Sequence, residues 1–590
     1  LEHHIYDTAI NSLVQSKRIN SLTALAKIVR TRLVSELQLM GWYSRLKQRS
    51  LQVFFSTTSL ILLSLPAQAA ETVYVSLGLL EVSVSVESLE KYAKEGIISQ
   101  ELSAYTRYLT KEQQAKLQEI LTTPAELDTI AIAQFLYSPQ GEAILRQLGS
   151  IIDTKARQGG FYAIRGALIL AAADEEGLTL LNFLQHFPTD GLRINSDRGL
   201  ELVNQLSDFI KETDQAVALI EQQAFEESLK GVDSPKPTFS ENLMASGNIA
   251  FTTQTLDLVD RRRNEEQGDF AYTPRNIPTN LYLPESSTFA RPPLIVISHG
   301  LGSDRDTFSY LAEHLASHGF AVASIEHPGS NARQLQALLS GLRNEVSPPS
   351  ELINRPQDIE FLLDYLERNY STRINLNQVG ILGQSFGAYT GLAVAGAQID
   401  YEQVFKRCQA QETATVLNFS VLLQCQLLRL PIKDYDFDDP RIKAAFAINP
   451  LISKIFGEEG MEAIDVPTLI VTGSADTVTP ALVEQIRPFS WLETPDKYLV
   501  LLKRGTHFST LAYSADEGVP VPQEAIGPDP AIAQAYMKAL SLAFFKTYLA
   551  NQSRYEIYLS SEYTDDISRF PMPIFLLESL PEQLIMEDEK

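Results

Sequence analysis

Val379-Gly380-Ile381-Leu382-Gly383-Gln384-Ser385-Phe386-Gly387-Ala388 is the stretch whose reading decides the fold. The apolar run Val379–Leu382 reads as a buried strand. Ala388, Gly391, Ala393 and Ala395 then open a helix of small residues. Between them stands Gly-x-Ser-x-Gly. A strand-to-helix reversal this tight needs the side chains two before and two after the serine to vanish. The strained turn then exposes the serine hydroxyl above the carboxyl end of the strand. The motif alone also fits a glycine-rich loop that merely packs. The flanking strand and helix favour a nucleophile elbow with Ser385 at its tip.

Working outward, apolar strand patterns recur at Leu281–Leu283, Leu294–Ser298, Phe320–Ile325, Ala444–Ile448, Thr468–Thr472 and Tyr498–Leu502. Helical patterns fall between them at Thr307–His318, Pro356–Asn369, Phe386–Ala397 and Pro480–Ile486, and residues 530–549 read as a closing helix. Alternating strand and helix predict an α/β fold with a mostly parallel sheet, the α/β-hydrolase architecture, over 246–550. Residues 399–439 form an insertion between the nucleophile helix and the next strand. Residues 551–590 read as a weakly patterned C-terminal tail. Upstream, Val73, Val75, Val82, Val84 and Val86 alternate as a short β-hairpin. From Ser88 to about Ala224 the spacing is helical and predicts five to seven short helices in a compact bundle. A mainly helical N-terminal domain over 71–230 and a linker over 231–245, with Pro235 and Pro237, complete the organisation.

A serine hydroxyl is a poor nucleophile without a base beside it. In this fold the chain order is serine, then acid, then histidine. Only His507 lies downstream of Ser385, in Arg504-Gly505-Thr506-His507-Phe508 directly after the last strongly apolar strand. Eight aspartates separate the two. Asp476 follows the strand Thr468–Thr472 across Gly473-Ser474-Ala475, where a loop can aim a carboxylate at the imidazole. Asp434, Asp436, Asp438 and Asp439 form an acidic run before a strand, and Asp465 precedes its strand at the wrong end of the sheet. The expected catalytic set is therefore Ser385, Asp476 and His507. An oxyanion needs two N–H donors. One is expected from Phe386, at the start of the helix after the serine. The other is expected from the turn Ser298-His299-Gly300-Leu301-Gly302, at Leu301 with Gly302 close behind. His299 reads as a structural hydrogen-bonder holding that turn, and His327 either lines the pocket or caps its loop.

The formal charge is −24, from 49 Lys and Arg against 73 Asp and Glu. That balance excludes a nucleic-acid partner, which needs clustered cations. Two cysteines exclude a Cys-based metal site, and no metal or cofactor motif is present. Position 1 is Leu, and Met40 is the better start, so 1–39 reads as an over-called upstream segment. Arg45, Lys47 and Arg49 precede the apolar run Leu51–Leu65 and then Pro66-Ala67-Gln68-Ala69, the order of a secretory signal peptide over 40–69. The run is shorter than the ~20 residues that span a bilayer, and an uncleaved N-terminal anchor is the alternative. Export to a periplasmic or other extracytoplasmic place is the expectation.

Ser298-His299-Gly300-Leu301-Gly302, Leu315-Ala316-Ser317-His318-Gly319-Phe320 and Ile325-Glu326-His327 resemble platelet-activating-factor acetylhydrolases and their dienelactone-hydrolase-like relatives. Gly383-Gln384-Ser385-Phe386-Gly387 is similar to their elbow, with Gln384 in place of His. The resemblance covers roughly 275–510. It implies calcium-independent hydrolysis of carboxylic esters, including short acyl groups on phospholipids, with oxyanion donors at Leu301 and Phe386. The chain departs at Ile448-Asn449-Pro450, where the animal enzymes carry their acid; asparagine cannot be an anion, so Asp476 must serve. Gly160-Phe161-Tyr162-Ala163-Ile164-Arg165 through Gly177 resembles a helical domain of unknown function that precedes such hydrolases in photosynthetic bacteria. In an exported chain, Cys408 and Cys425 fit a disulfide that staples the insertion as a cap over an apolar acyl pocket; a packing insertion with two free thiols is the alternative. The expected activity is ester hydrolysis on hydrophobic or phospholipid substrates, with membrane-surface contact. A non-catalytic binding or scaffold module on the same fold is the other class, and the intact Ser, Asp and His speak against it.

Overall fold

The computed structural model describes residues 70–77, 80–125, 128–229, 239–261, 274–285, 290–409, 418–512 and 526–586. The expected upstream segment and signal peptide, 1–69, lie outside the described residues, as does 231–238 of the expected linker.

β1 (Thr72–Leu77) and β2 (Leu80–Ser85) form the antiparallel hairpin that the alternating valines predict. Seven helices follow: α1 (Val86–Glu95), α2 (Gln100–Thr106), α3 (Lys111–Thr122), α4 (Thr129–Leu136), α5 (Pro139–Ile151), α6 (Phe161–Ala172) and α7 (Leu180–Gln185). Ser85, Ser99, Thr110, Asp128 and Ser138 start the first five, each accepting a backbone N–H that the first turn leaves unpaired. Two short strands break the expected all-helical bundle. β3 (Ile152–Thr154) and β4 (Gly191–Asn195) join the hairpin in a four-stranded sheet of order β2-β1-β4-β3. Strands of three and five residues are too short to show a period, and β4 finds its partner β1 from more than 100 residues away.

α8 (Ser196–Leu229) is a single helix of 34 residues. Ala216, Val217, Ile220 and Ala224 on its second half belong to the core of the following domain. Gln223 Nε2 donates to the Ser579 carbonyl at 3.0 Å, and Lys503 Nζ pairs with Glu221 at 2.7 Å. The two regions therefore share a helix where the spacing predicted a boundary. The described part of the expected linker is packed too: Phe239 meets Tyr563 edge to face at 4.9 Å and Leu243 is buried.

The hydrolase region is a nine-stranded sheet of order β13-β12-β11-β10-β9-β7-β8-β6-β5. In chain order these are β5 (Phe251–Asp260), β6 (Arg275–Pro284), β7 (Pro293–Ser298), β8 (Ala321–Ile325), β9 (Asn375–Gln384), β10 (Ile442–Ile448), β11 (Thr468–Gly473), β12 (Lys497–Leu502) and β13 (Ile574–Leu577). The six from β8 to β12 are parallel, and β5, β6 and β13 run antiparallel at the edges. Buried strands read as continuous apolar runs because both faces are covered. Leu294 and Val296 of β7 enter one core, while Ile295 and Ile297 enter the other. α9 (Ser309–Ser317) lies on the second face, as does the closing helix Pro530–Tyr548. α10 (Ala332–Leu339) follows β8. α11 (Glu351–Tyr370) and α12 (Phe386–Val394) cover the first face. β5 and β13 were not legible as strands, and β13 turns the expected tail into a sheet edge.

Candidate active site

The elbow forms because nothing but glycine fits around it. A Cβ on Gly383 would meet the Gly387 carbonyl oxygen at 2.1 Å, and one on Gly387 would meet that of Ser298 at 2.0 Å. Ser385 sits at φ 55° and ψ −118°, left-handed backbone that a side-chain-bearing residue enters only under constraint. Its own N–H supplies part of that constraint by donating to the Ile448 carbonyl at 2.8 Å.

Three loops at the carboxyl ends of β9, β11 and β12 converge here. Ser385 Oγ is 2.9 Å from His507 Nε2, and His507 Nδ1 is 2.7 Å from Asp476 Oδ2. Because the carboxylate is acceptor-only, the pairing assigns the proton to Nδ1 and leaves Nε2 to accept from the serine hydroxyl. Asp476 is aimed by its own turn: the N–H groups of Val478 and Thr479 both donate to Oδ1 at 2.8 Å. The Thr479 hydroxyl lies 2.9 Å from Oδ2 and 3.1 Å from His507 Nδ1. Gln384 Nε2 donates to the His507 carbonyl at 3.1 Å and ties the elbow to the histidine loop. Asn449, the position at which the resemblance implied an acid, accepts the Gly473 N–H at 3.1 Å and lies against the His507 carbonyl rather than the ring.

The turn after β7 separates the two candidate donors. The Gly302 N–H donates to the Ser330 carbonyl at 2.8 Å and is committed. Among the described residues the amides of Leu301 and Phe386 donate to no protein acceptor. His299 holds the turn: its Nε2 accepts the His327 N–H at 3.0 Å and its Nδ1–H donates to the Gly300 carbonyl at 2.7 Å. Burial, reinforced by the Arg355 charge, pushes its pKa well below the ordinary range, so the ring is neutral. His327 is fully buried, with Nε2 3.0 Å from Ser298 Oγ and Nδ1 2.8 Å from Asp358 Oδ2. It is an internal strut and does not reach a pocket. Asp358 and Glu351 are in turn held by Arg275 at 2.7–2.9 Å.

Sequence reasoning passed over Gln384, Thr479, Arg355 and Asp358 as parts of this site. The available signal was on α11, where Glu351, Arg355 and Asp358 recur at i, i+4 and i+7 on one face. The insertion carries α13 (Tyr401–Gln409) and a Cys408–Cys425 disulfide with Cα atoms 5.8 Å apart; its residues 410–417 lie outside the described residues. Its returning segment is clamped by buried Glu484. That carboxylate accepts from Asn418 and Gln424 of the insertion and from the Ile452 and Ser453 amides after β10 at 2.7 and 2.9 Å.

Residues 69–195 match the family described as an alpha/beta hydrolase of unknown function (DUF1400), and residues 283–350 match platelet-activating factor acetylhydrolase, isoform II. Cutinase 2 of Thermobifida cellulosilytica is 23% identical over 288 residues, spanning 47% of this chain and 76% of that protein. Cutinase cut1 of Thermobifida fusca is also 23% identical over 288 residues, with 62% of its length covered. The platelet-activating factor acetylhydrolase of Canis lupus familiaris is 58% identical over 40 residues, 7% of this chain and 9% of that enzyme. The chain thus has an α/β-hydrolase fold whose residues 283–350 are similar to platelet-activating factor acetylhydrolase, isoform II, with distant similarity to cutinases and an N-terminal stretch similar to DUF1400.

Proposed function

We propose that the chain is a serine hydrolase that cleaves carboxylic esters through an acyl-enzyme. The observation that carries this is the relay of 2.9 and 2.7 Å from Ser385 Oγ through the His507 ring to Asp476 Oδ2. His507 Nε2 takes the hydroxyl proton as Ser385 Oγ attacks the ester carbonyl carbon. The carbonyl π pair moves onto oxygen, and the free amides of Leu301 and Phe386 receive the resulting charge. When the tetrahedral adduct collapses, the ester C–O bond breaks and His507 returns the proton to the departing alkoxide. Water then repeats the sequence on the acyl-serine and releases the acid. Asp476 keeps the ring in the required tautomer and offsets the imidazolium charge.

Hydrophobic, lipid-like esters, including short-acyl phospholipids, are the substrates this reading favours. The acetylhydrolase-like segment spans the oxyanion turn, the cutinases are likewise named for an ester polymer, and a disulfide-stapled insertion stands beside the nucleophile helix. The basic, apolar and Ala-x-Ala order at 40–69 supports export and work at a membrane surface.

A fluorophosphonate probe tests the chemistry. It should label the wild-type chain at Ser385, and Ser385→Ala should lose labelling together with about 10⁴-fold in turnover of p-nitrophenyl esters. A wild-type chain that resists the probe would mark a fold kept for binding without chemistry. An acyl-length series on the wild type then ranks substrates.

A further inference from the structure

We propose that Arg355 is a positioning residue for the oxyanion hole, holding both donor amides from behind. This rests on the ester-hydrolase reading and deepens it. Arg355 is completely buried on α11 and touches the two donor segments at once. Its Nη2–H donates to the His299 carbonyl, and its guanidinium carbon lies 4.5 Å from the centre of the Phe386 ring. His299 stands two residues before Leu301, and its carbonyl and both ring nitrogens are occupied. Arg355 takes its carbonyl, the His327 N–H takes Nε2, and its Nδ1–H takes the Gly300 carbonyl. With these peptide units pinned, the Leu301 N–H has one direction left to point. On the other side, the cation over the Phe386 ring fixes the residue that carries the second donor.

The charge state argues for more than packing. Glu351 and Asp358 lie near enough to favour the cation, yet the guanidinium hydrogen-bonded to them is that of Arg275. Nε and Nη1 of Arg355 have no hydrogen-bond partner among the described residues. Burial pushes the Arg355 pKa down to about 9, which still leaves it charged at neutral pH. A scaffold arginine at zero exposure would be expected to use its fork, because each unpaired buried donor costs stability. Here a cation that is not cancelled by direct pairing backs the place where negative charge develops, in a dry interior where charges act strongly.

The test compares the full chain with Arg355→Met and Arg355→Gln. Each is assayed on a p-nitrophenyl ester and with a trifluoromethyl ketone, which adds to a serine hydroxyl as a tetrahedral oxyanion. Arg355→Met should lower kcat about 10- to 100-fold. It should leave KM within about twofold and weaken the ketone by the same factor as kcat/KM. Gln, which keeps a donor for the His299 carbonyl without the charge, should fall between. Arg275 keeps its hydrogen bonds to both carboxylates in each variant, and cooperative melting is measured alongside activity. Ketone affinity unchanged in a cooperatively melting variant overturns the proposal, and so does failure of both variants to melt cooperatively, which would assign Arg355 to the scaffold. Fluorophosphonate labelling of the wild type is scored separately, so that loss of the ester-hydrolase reading is distinguishable from loss of this one.

Discussion

Two Ser-His-Asp constellations occur within this one domain, and the difference between them explains why distance alone is not chemistry. Ser298, His327 and Asp358 are spaced at 3.0 and 2.8 Å, as well aligned as Ser385, His507 and Asp476. All three are fully buried, and Ser298 ends a regular strand. Ser385 instead stands on left-handed backbone at an elbow, beside the Leu301 and Phe386 amides, which donate to no protein acceptor among the described residues. Neutral buried histidines also set the response to pH. His314 on α9 has its pKa pushed down to about 3 by burial, with His318 and Lys538 adding to the shift. The unfolded chain binds a proton there near pH 6.5 and the folded chain does not. Between those values the unfolded state holds more protons, so this group's contribution is full above about pH 6.5 and is lost as pH falls toward 3. His314→Leu should therefore flatten the acid-side fall of melting temperature between pH 6.5 and 4.5, measured relative to pH 8. An unchanged slope would show that the ring finds a compensating partner.

At the scale of elements, the insertion and α11 each do something their local pattern understates. The insertion is closed by a disulfide at a sequence separation of 17 and, independently, by Glu484. On the chain-entropy account, opening so short a loop costs about 3 kcal/mol. Replacing Cys408 and Cys425 together with Ser should lower denaturant stability by about that amount. Turnover of a short ester should largely persist, because Glu484 still anchors the returning segment. Collapse of activity would mean that the staple, and not the carboxylate, places the insertion. α11 carries a charged stripe of the kind that normally faces water. It faces inward here because Arg275 arrives from β6 to pair with Glu351 and Asp358, leaving Arg355 to reach the turn after β7.

Across the whole molecule, α8 packs against two sequence-distinct regions at once. Its second half contributes Ala216, Val217, Ile220 and Ala224 to the hydrolase core, and its partners include β13 and the segment behind it. Ile220→Ala should cost about 2–5 kcal/mol. The expected calorimetric result is one transition, lowered as a whole; two separated transitions would show that the regions unfold independently. The residues alone determined the parallel sheet, the elbow and the pairing of Ser385 with His507 and Asp476. Those follow from local period, from glycines that sterics demand, and from a chain order in which no second downstream histidine competes. The rest was decided by the tertiary structure: the four-stranded N-terminal sheet, edge strands β5 and β13, the shared helix, the choice of Leu301 over Gly302, and the inward face of α11. Each depends on a partner supplied from far along the chain, and a short strand, an amide or a charged stripe looks the same locally whether water or protein completes it.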